Sequence, residues 1–153
     1  MILRLLHPGT PGRGPLADAA EAYKQRLVRH FRVEEDFVRA STHRLTASAL
    51  AEEAERLRGA LRPRQRLVAL AVDGAPWSSR QLATHLEAWM ASGVTGVAFA
   101  LGSAEGLDPA FTAAADDRWS FGPLTLPHDL ARVVLWEQLY RAGTLIRGEP
   151  YHK

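Results

Sequence analysis

The sequence predicts an α/β fold with a mostly parallel sheet, and two features carry that prediction. Residues 67–72 are a continuous apolar run of strand length, and residues 94–101 are a second, mostly apolar segment; both are typical of strands that are buried on both faces. Amphipathic segments, with apolar residues three to four positions apart, alternate with the strand-like runs. Strands that alternate with helices form layered α/β folds, whose ligands lie at the carboxyl ends of the strands.

Length and composition favour one domain over residues 1–153. The chain has 153 residues, of which 46% are hydrophobic, so it can bury a substantial core. It contains no cysteine, which excludes disulfides and thiolate chemistry. The apolar start is interrupted by Arg4 and is too short for a signal sequence, and no apolar run approaches the ~20 residues of a membrane span. We therefore expect a cytoplasmic protein without a membrane span.

The N-terminal half predicts two strands and two helices. Residues 2–6 form a short β-type run, and residues 7–15, rich in glycine and proline, predict a loop. Apolar spacing predicts a helix over 16–30 and a second helix that Pro63 ends, with a strand around Val33 and Phe37 between them. The apolar positions are Leu16, Ala20, Tyr23, Leu27 and Phe31 in the first helix, and Leu50, Ala54, Leu57 and Leu61 in the second.

In the C-terminal half, the run 67–72 predicts a central strand that a turn at Asp73-Gly-Ala-Pro closes. Ser78 and Gln81 are three residues apart, which predicts a capping box at the start of a helix that ends at Ser92-Gly93. The strand over 94–101 then enters a glycine-containing loop. Asp108 and Pro109 after that loop predict a helix N-cap and first helical position.

Pro127-His128 predicts the start of a final helix that extends to Ile146. Its apolar stripe comprises Ala131, Leu135, Leu139, Ala142 and Ile146, and a second face carries Arg132, Trp136 and Tyr140. A helix that is apolar on two sides needs two partners. These partners are either the sheet and another helix of the same chain, or a second copy held by Trp136 or Tyr140 as an anchor.

The charge distribution is uneven although the net charge is only +2. Residues 1–66 contain 13 Lys or Arg against 8 Asp or Glu, and residues 67–153 contain 6 against 9. The basic half includes Arg56, Arg58, Arg62, Arg64 and Arg66. This arginine-rich stretch is interpreted either as a solvated helix end or as a surface that contacts nucleic-acid phosphates.

The rule for parallel sheets selects three loops as candidate sites, 70–74, 102–106 and 122–127. Gly102-Ser-Ala-Glu-Gly106 lies between a strand and a helix, as a phosphate-binding loop does, but matches neither the dinucleotide-binding fingerprint nor a Walker loop. A plain turn explains it equally well. A serine-hydrolase elbow is absent, and without cysteine or a His-x-x-x-His pair a zinc site is disfavoured.

Two histidines and one arginine are candidates for proton transfer and anion binding. His128 lies at a helix start, where the helix dipole favours a neutral imidazole that can accept a proton. His152 lies near the C-terminus. Either histidine could equally be a surface or capping residue. Arg141 follows Glu137 by four residues, so it either pairs with Glu137 or is free to bind an anion.

Five ordered blocks of the sequence resemble one known family. They are Leu70-x-Val-x-Gly74, Gly102-x-x-Glu-Gly-Leu107, Leu124-Thr-Leu-Pro-His128, Glu137-Gln-Leu-Tyr-Arg-Ala142 and Pro150-Tyr-His152. In this order they resemble the RlmH family of SPOUT-class methyltransferases. The similarity spans the whole chain and is strongest from Leu67 onward.

The resemblance implies a trefoil-knotted α/β homodimer that uses S-adenosylmethionine, and no metal, to methylate N3 of a pseudouridine in 23S ribosomal RNA. The substrate would be free RNA, the large subunit or the assembled ribosome. His128, Arg141, Tyr151 and His152 are implied on the RNA and catalytic side. The residues implied to hold the cofactor are Leu70, Gly102, Ser103, Gly122, Pro123, Leu124, Thr125, Leu126 and Pro127.

The reaction needs little more than alignment and the management of one proton, because the cofactor is already activated. An imide N3 is mostly protonated at neutral pH, so a base should assist its attack on the methyl group. We hypothesise that His128 or His152 takes that proton and that Arg141 stabilises the resulting anion. Tyr151 would stack on the nucleotide or form a hydrogen bond with it.

The chain departs from the family pattern at two positions. Ser103-Ala104 replaces a usual Gly-Pro, and Gly122 replaces a usual serine. Because Ser103 adds a Cβ where the backbone approaches the ligand, we expect an effect on cofactor affinity. Two alternative functions therefore stay open: a non-catalytic RNA- or ribosome-associated factor with the same fold, and a methyltransferase that acts on a different RNA.

Overall fold

The computed structural model describes all 153 residues and contains one five-stranded sheet in the order β2-β1-β4-β3-β5. Every neighbouring pair of strands is parallel, as the alternation of strands and helices predicts. The strands are β1 (Ile2–Pro8), β2 (Arg32–Val38), β3 (Gln65–Ala75), β4 (Gly96–Ala100) and β5 (Asp117–Trp119). β4 and β3 lie inside the sheet, so the two long apolar runs of the sequence are confirmed as buried strands.

Four helices connect the strands and a fifth follows β5, and none combines the length and apolarity needed to cross a bilayer. They are α1 (Pro15–Leu27), α2 (Thr46–Ala60), α3 (Ser79–Ala91), α4 (Pro109–Ala113) and α5 (His128–Ile146). The capping box at α3 is confirmed, because the Ser78 hydroxyl accepts from the Gln81 amide while the Gln81 side chain accepts from the Ser78 amide. Asp108 caps α4, as predicted, by accepting from the Phe111 amide at 3.1 Å.

Helices cover both faces of the sheet, and alternating strand residues divide the core between them. On one face, Val68 of β3 packs with buried residues of α1, α3 and α5. On the other, its neighbour Leu67 packs with Ala54 and Leu57 of α2 and Phe111 of α4. At about 25 cal/mol per Å² of apolar surface, a fully buried side chain of this kind contributes roughly 1.5–3 kcal/mol before the cost of chain entropy.

The turn predicted at Asp73-Gly-Ala-Pro is wrong, because β3 remains extended to Ala75. The extension pairs with β5, which the sequence analysis did not predict, and the register shifts between Leu70 and Ala75. The Ser120 amide donates to the Ala75 carbonyl at 3.0 Å. A Cβ at Gly74 would lie only 2.7 Å from the carbonyl carbon of Arg118, so glycine is required by the close approach of the two strands.

Several predicted boundaries need smaller corrections. β1 continues to Pro8 and α1 begins at Pro15, so the predicted loop 7–15 is shorter at both ends. α1 ends at Leu27 instead of residue 30, and β4 spans Gly96–Ala100 instead of 94–101. Strand and helix ends depend on tertiary hydrogen bonds that hydrophobic periodicity does not report.

α5 obtains both of its apolar partners within the same chain. It packs against α1 on one side and α3 on the other. Trp136 has no exposed surface, so the prediction that it anchors a second copy is wrong. The Tyr140 ring packs against the rings of Tyr23, His30 and Tyr151. Its packing partners therefore also lie within the same chain. Simple burial between the sheet and its neighbouring helices therefore explains both faces.

Candidate active site

A cavity of about 260 Å³ opens at the carboxyl ends of β3 and β4, beside the start of α5. The three loops that the sequence analysis selected all contribute to its wall. The predicted cofactor residues on that wall are Leu70, Gly102, Ser103, Gly122, Leu124, Thr125 and Leu126. Pro123 and Pro127 lie outside it. Pro127 precedes α5, and its carbonyl accepts the first helical hydrogen bond from Ala131.

The chemistry of the cavity wall excludes strong attraction for phosphate. The wall contains no lysine or arginine, and its one formally charged carboxylate is Glu105. Trp119 and Phe121, whose rings meet edge to face with centroids 4.8 Å apart, supply flat apolar surface. An apolar wall with exposed glycine backbone and one acidic side chain suits a flat ring system joined to a cationic group.

Two glycines shape the loops of this cavity for different reasons. A Cβ at Gly102 would lie 2.3 Å from the carbonyl carbon of Gly106, so the loop closes on itself only because that atom is absent. The Gly106 amide donates to the Ser103 carbonyl at 2.9 Å and completes this tight turn. Gly122 has open space around it but a φ of +107°, which disfavours a side chain there.

His128 reaches the cavity from the first turn of α5, and both of its ring nitrogens have close partners. Nδ1 lies 2.6 Å from the carbonyl oxygen of Gly102. Nε2 lies 3.0 Å from Nδ1 of His7, a residue of β1 that has no exposed surface. His128 thus joins the Gly102 loop to the end of β1.

Behind His7 lies a buried ion cluster around Glu35 of β2. Oε1 of Glu35 is 3.2 Å from His7 Nε2 and accepts from Arg132 Nε at 2.6 Å, while Oε2 accepts from Lys24 at 2.9 Å. Burial alone would raise the pKa of Glu35, but the hydrogen bonds from His7, Arg132 and Lys24 outweigh burial and hold that pKa far below its ordinary value. Glu35 is therefore a carboxylate near neutral pH.

A second polar cluster lies where the C-terminal tail returns to the end of α5. Glu137 Oε1 accepts from Arg141 Nη2 at 2.6 Å and from the Tyr151 hydroxyl at 3.0 Å. The Arg141 guanidinium also lies over the Tyr151 ring, and its Nη1 is 3.5 Å from Nδ1 of His152. Burial, together with Tyr23 and Glu137, raises the pKa of the Tyr151 hydroxyl. Arg141 is thus paired, as the i, i+4 spacing allowed, and is held beside the tail.

The structure separates the four residues predicted for catalysis. Arg141, Tyr151 and His152 lie together, whereas His128 lies thirteen positions earlier on the same helix. At 1.5 Å per residue, that spacing is about 20 Å along the helix axis. Within one chain, His128 and the tail cluster are too far apart to contact the same nucleobase.

The arginine-rich stretch is mostly neutralised within the chain. Arg56 pairs with Glu52, Arg58 with Glu55, Arg62 with Glu34 and Arg66 with Asp117. Arg64, with a φ of 63°, forms no ion pair. Because paired arginines have less freedom to contact phosphates, this stretch is a weaker candidate for nucleic-acid binding than its composition indicates.

Comparison with known proteins decides the family. The family model described as "Predicted SPOUT methyltransferase" matches residues 1–152. The chain belongs to the SPOUT methyltransferase family. The parallel sheet with helices on both faces is the fold of this family, and membership implies the trefoil knot as well.

Relatives of this SPOUT methyltransferase match it along its full length. A protein from Chromohalobacter salexigens is 39% identical over 156 residues, and one from an Anaeromyxobacter strain is 42% identical over 154; both alignments cover 100% of each chain. A third, from Azotobacter vinelandii, is 47% identical over 107 residues and covers 70% of this chain and 68% of its own. All three carry the name "Ribosomal RNA large subunit methyltransferase H".

Two solved structures share the fold of the SPOUT methyltransferase at low sequence identity. A probable methyltransferase from Bordetella pertussis has a TM-score of 0.59 and 18% identity, with 93% of each chain covered. A probable methylase family protein from Haemophilus influenzae has a TM-score of 0.61 and 14% identity, with 99% of this chain and 70% of its own covered.

Sequence reasoning missed His7 and Glu35 as parts of the site region of the SPOUT methyltransferase. Trp119 lines the cavity from the unpredicted β5. Glu35 could have been predicted from the sequence, because an acidic residue that is buried within a strand of an α/β core usually has cationic partners. His7 stands at the end of β1, but its contact with His128 joins residues 121 positions apart, which no local pattern reports.

Proposed function

We propose that this protein is an S-adenosylmethionine-dependent methyltransferase that methylates N3 of a pseudouridine in 23S ribosomal RNA. The observation that carries the proposal is the cavity at the carboxyl ends of β3 and β4, whose wall includes most of the residues that resemble the family's cofactor site. The full-length similarity to proteins named as large-subunit ribosomal RNA methyltransferases supports the choice of substrate.

The cavity fits the proposed cofactor. The adenine ring would pack against the apolar wall, and the close turn at Gly102 would let backbone groups approach the ligand. Glu105 would lie near the cationic sulfonium and ammonium groups. S-adenosylmethionine supplies a methyl group that is already activated for displacement, so the protein needs only to align it with the nucleophile.

His152 is the better candidate for the base. Both ring nitrogens of His128 are occupied, by the Gly102 carbonyl and by His7, which leaves neither free for N3 of a nucleobase. His152 has a single polar contact, the 3.5 Å approach of Arg141 to its Nδ1. In this assignment His128 orders the cofactor loop and His152 takes the proton.

Arg141 and Tyr151 would serve the nucleotide beside His152. As N3 loses its proton, negative charge develops on the base. Glu137 holds Nε and Nη2 of Arg141, so Nη1, beside His152, would stabilise that charge. Tyr151 offers a ring for stacking while its hydroxyl is held by Glu137. Glu137 is then a positioning residue, because one carboxylate oxygen orients both side chains.

A homodimer would unite the two halves of the site. The tail cluster lies about 20 Å along α5 from His128. A second copy in an antiparallel arrangement would bring its own Arg141, Tyr151 and His152 to the cavity of the first. Exposed apolar side chains at the cavity, Val72 and Leu124, which are 73% and 75% exposed, provide surface that such a partner would cover.

Titration calorimetry with S-adenosylmethionine tests the cofactor assignment. We expect saturable binding, and weaker binding after Leu70→Arg, which places a cation in the wall that would face the sulfonium. Arg80→Leu, which exchanges the same two residue types in the reverse direction on the surface of α3, serves as the control. Absence of binding by the wild-type protein would instead support the non-catalytic, RNA-associated alternative.

A further inference from the structure

A buried polar chain reaches the cofactor loop from the N-terminal half. It runs from Glu35 of β2 through His7 of β1 to His128 of α5 and ends at the Gly102 carbonyl oxygen. His7 has no exposed surface, and the side chain of Glu35 is 4% exposed. The proposed reaction gives His7 no role, yet its imidazole lies between a carboxylate and a residue of the cavity wall.

The hydrogen bonds of this chain require one proton more than two neutral imidazoles carry. The Gly102 carbonyl can only accept, so His128 donates from Nδ1. The Glu35 carboxylate can only accept, so His7 donates from Nε2. The 3.0 Å contact between His128 Nε2 and His7 Nδ1 needs a third proton. Three ring protons on two imidazoles give the pair one positive charge.

Both other protonation states break a contact. With two ring protons, one of the three contacts, with Gly102, between the rings or with Glu35, becomes a pair of acceptors that face each other. With four ring protons, two N–H groups meet at 3.0 Å. An unpaired buried polar group is costly, so the singly charged pair is the state that this geometry stabilises.

We propose that His7 is a positioning residue for His128: anchored by Glu35, it shares one proton with His128 and thereby keeps His128 donating to the Gly102 carbonyl of the cofactor loop. The inference rests on the proposed function only for the identity of the ligand in the cavity. The shared proton itself is a property of the free protein.

The charged groups around the pair come from three elements. Glu35 approaches His7 from β2, Arg132 approaches Glu35 from α5, and Lys24 of α1 holds the other oxygen of Glu35. Burial is the largest influence on the pKa of His7 and holds it below its ordinary value; the Glu35 carboxylate opposes this shift, and His128 and Arg132 add to it. The shared proton is therefore lost as the pH rises. The two neutral rings must then give up one of their three contacts, and we expect the contact at Gly102 to be the one that weakens.

Nitrogen NMR of the histidine rings in the intact protein tests the shared proton. Between about pH 8 and pH 5, we expect His7 and His128 to take up one proton between them and to resist a second. In His7→Ala, the second ring is missing, so the ring-nitrogen signals of His128 should no longer report a shared proton. Independent uptake of two protons by the two rings of the wild-type protein, or unchanged His128 signals in His7→Ala, would overturn the proposal.

Cofactor affinity provides the functional readout. Loss of one hydrogen bond at the loop should weaken S-adenosylmethionine binding about three- to tenfold as the wild-type protein passes from pH 5 to pH 8. In His7→Asn, the amide nitrogen occupies the place of Nδ1 and donates to a neutral His128. This variant should keep tight binding and lose the pH dependence. An equal pH dependence in His7→Asn and the wild type would contradict the proposal.

The two proposals fail in different ways. If the histidines share a proton but the wild-type protein binds no S-adenosylmethionine, the proposed function is wrong and the role of His7 stands. If the wild type binds the cofactor and transfers methyl groups while the two rings titrate independently, the proposed function stands and the role of His7 is wrong. His7→Asn and the wild type decide the question even if His7→Ala does not fold.

Discussion

The Tyr151 hydroxyl donates a 3.0 Å hydrogen bond to Oε1 of Glu137, which joins the C-terminal tail to α5. The same oxygen accepts from Arg141, so one carboxylate orients two of the residues assigned to the nucleotide. An exposed, disordered tail would have no such attachment. The geometry of this cluster leads to the first prediction.

Removal of residues 151–153 should abolish methyl transfer while the fold and cofactor binding remain. His152→Ala alone should lower kcat about 10²- to 10⁴-fold, the range for loss of a general base. The measurement is single-turnover methyl transfer, with circular dichroism and calorimetry to check fold and cofactor affinity. His43→Ala, which changes an exposed histidine between β2 and α2, is the matched control. Normal turnover in the truncated protein would contradict the assignment.

Gly102→Ala should weaken cofactor binding more than tenfold. The added Cβ would lie 2.3 Å from the Gly106 carbonyl carbon, so the backbone of the loop must move out of the conformation that lines the cavity. Calorimetry with S-adenosylmethionine measures the effect. Gly59→Ala is the control, because no atom lies within 4 Å of its Cβ position. In that helical position alanine should add roughly 0.5–1 kcal/mol of stability without a change in affinity. Equal affinities of the two variants would refute this role of Gly102.

Glu35→Gln should destabilise the fold by about 3–5 kcal/mol, because it leaves Arg132 and Lys24 without their buried counter-charge. Urea unfolding measures this loss. Glu87→Gln, on the exposed surface of α3, should change the free energy of unfolding by less than about 0.5 kcal/mol. Similar unfolding free energies for the two variants would show that the Glu35 cluster contributes little.

The same cluster predicts a sign for the pH dependence of stability. The pKa of Glu35 is lower in the folded protein than in the unfolded chain, so the unfolded chain binds more protons as the solution is acidified. The stabilisation by Glu35 is fully present above the unfolded pKa of about 4.3 and decreases as the pH falls below that value. Glu35→Gln should lose stability less steeply below about pH 5 than the wild type. A steeper loss would contradict the ionised state assigned to Glu35.

Mixed dimers test whether two copies share one site. Subunits with Gly102→Ala would lack a working cavity, and subunits with His152→Ala would lack a working tail. Random reassociation makes half of the dimers mixed, and each mixed dimer has one intact composite site, so about a quarter of wild-type activity should return. If each chain used its own tail, the mixture would be no more active than the separate variants.

Hydrophobic periodicity and capping patterns predicted most of the fold. The apolar runs became the inner strands β3 and β4, and Ser78 with Gln81 became a full capping box. β5 escaped prediction because it is a three-residue strand with two charged residues, Asp117 and Arg118. Its pairing with the far end of β3 also explains why residues 73–75 of the predicted turn are extended. Short strands of this kind form through long-range pairing more than through local preference.

The candidate site, like the fold, was predictable only in part. Loops at the carboxyl ends of parallel strands can be identified from element order alone, and these loops line the cavity. The contacts between side chains that are distant in the sequence cannot be predicted from residue spacing. The separation of His128 from His152 follows from the length of α5 once Glu137 and Tyr151 fix the direction of the tail. The His7–His128 contact depends on how β1 is placed beside α5, which only the folded structure reveals.

Methyl transfer from labelled S-adenosylmethionine to ribosomal RNA tests the proposed function most directly. The substrates are free 23S RNA, large subunits and assembled ribosomes that lack the modification, and the modified nucleotide is mapped afterwards. We expect label at N3 of one pseudouridine in 23S RNA, and background label with His152→Ala. Label in a different RNA or at another atom, or no transfer to any of the three substrates by a protein that binds the cofactor, would contradict the proposal.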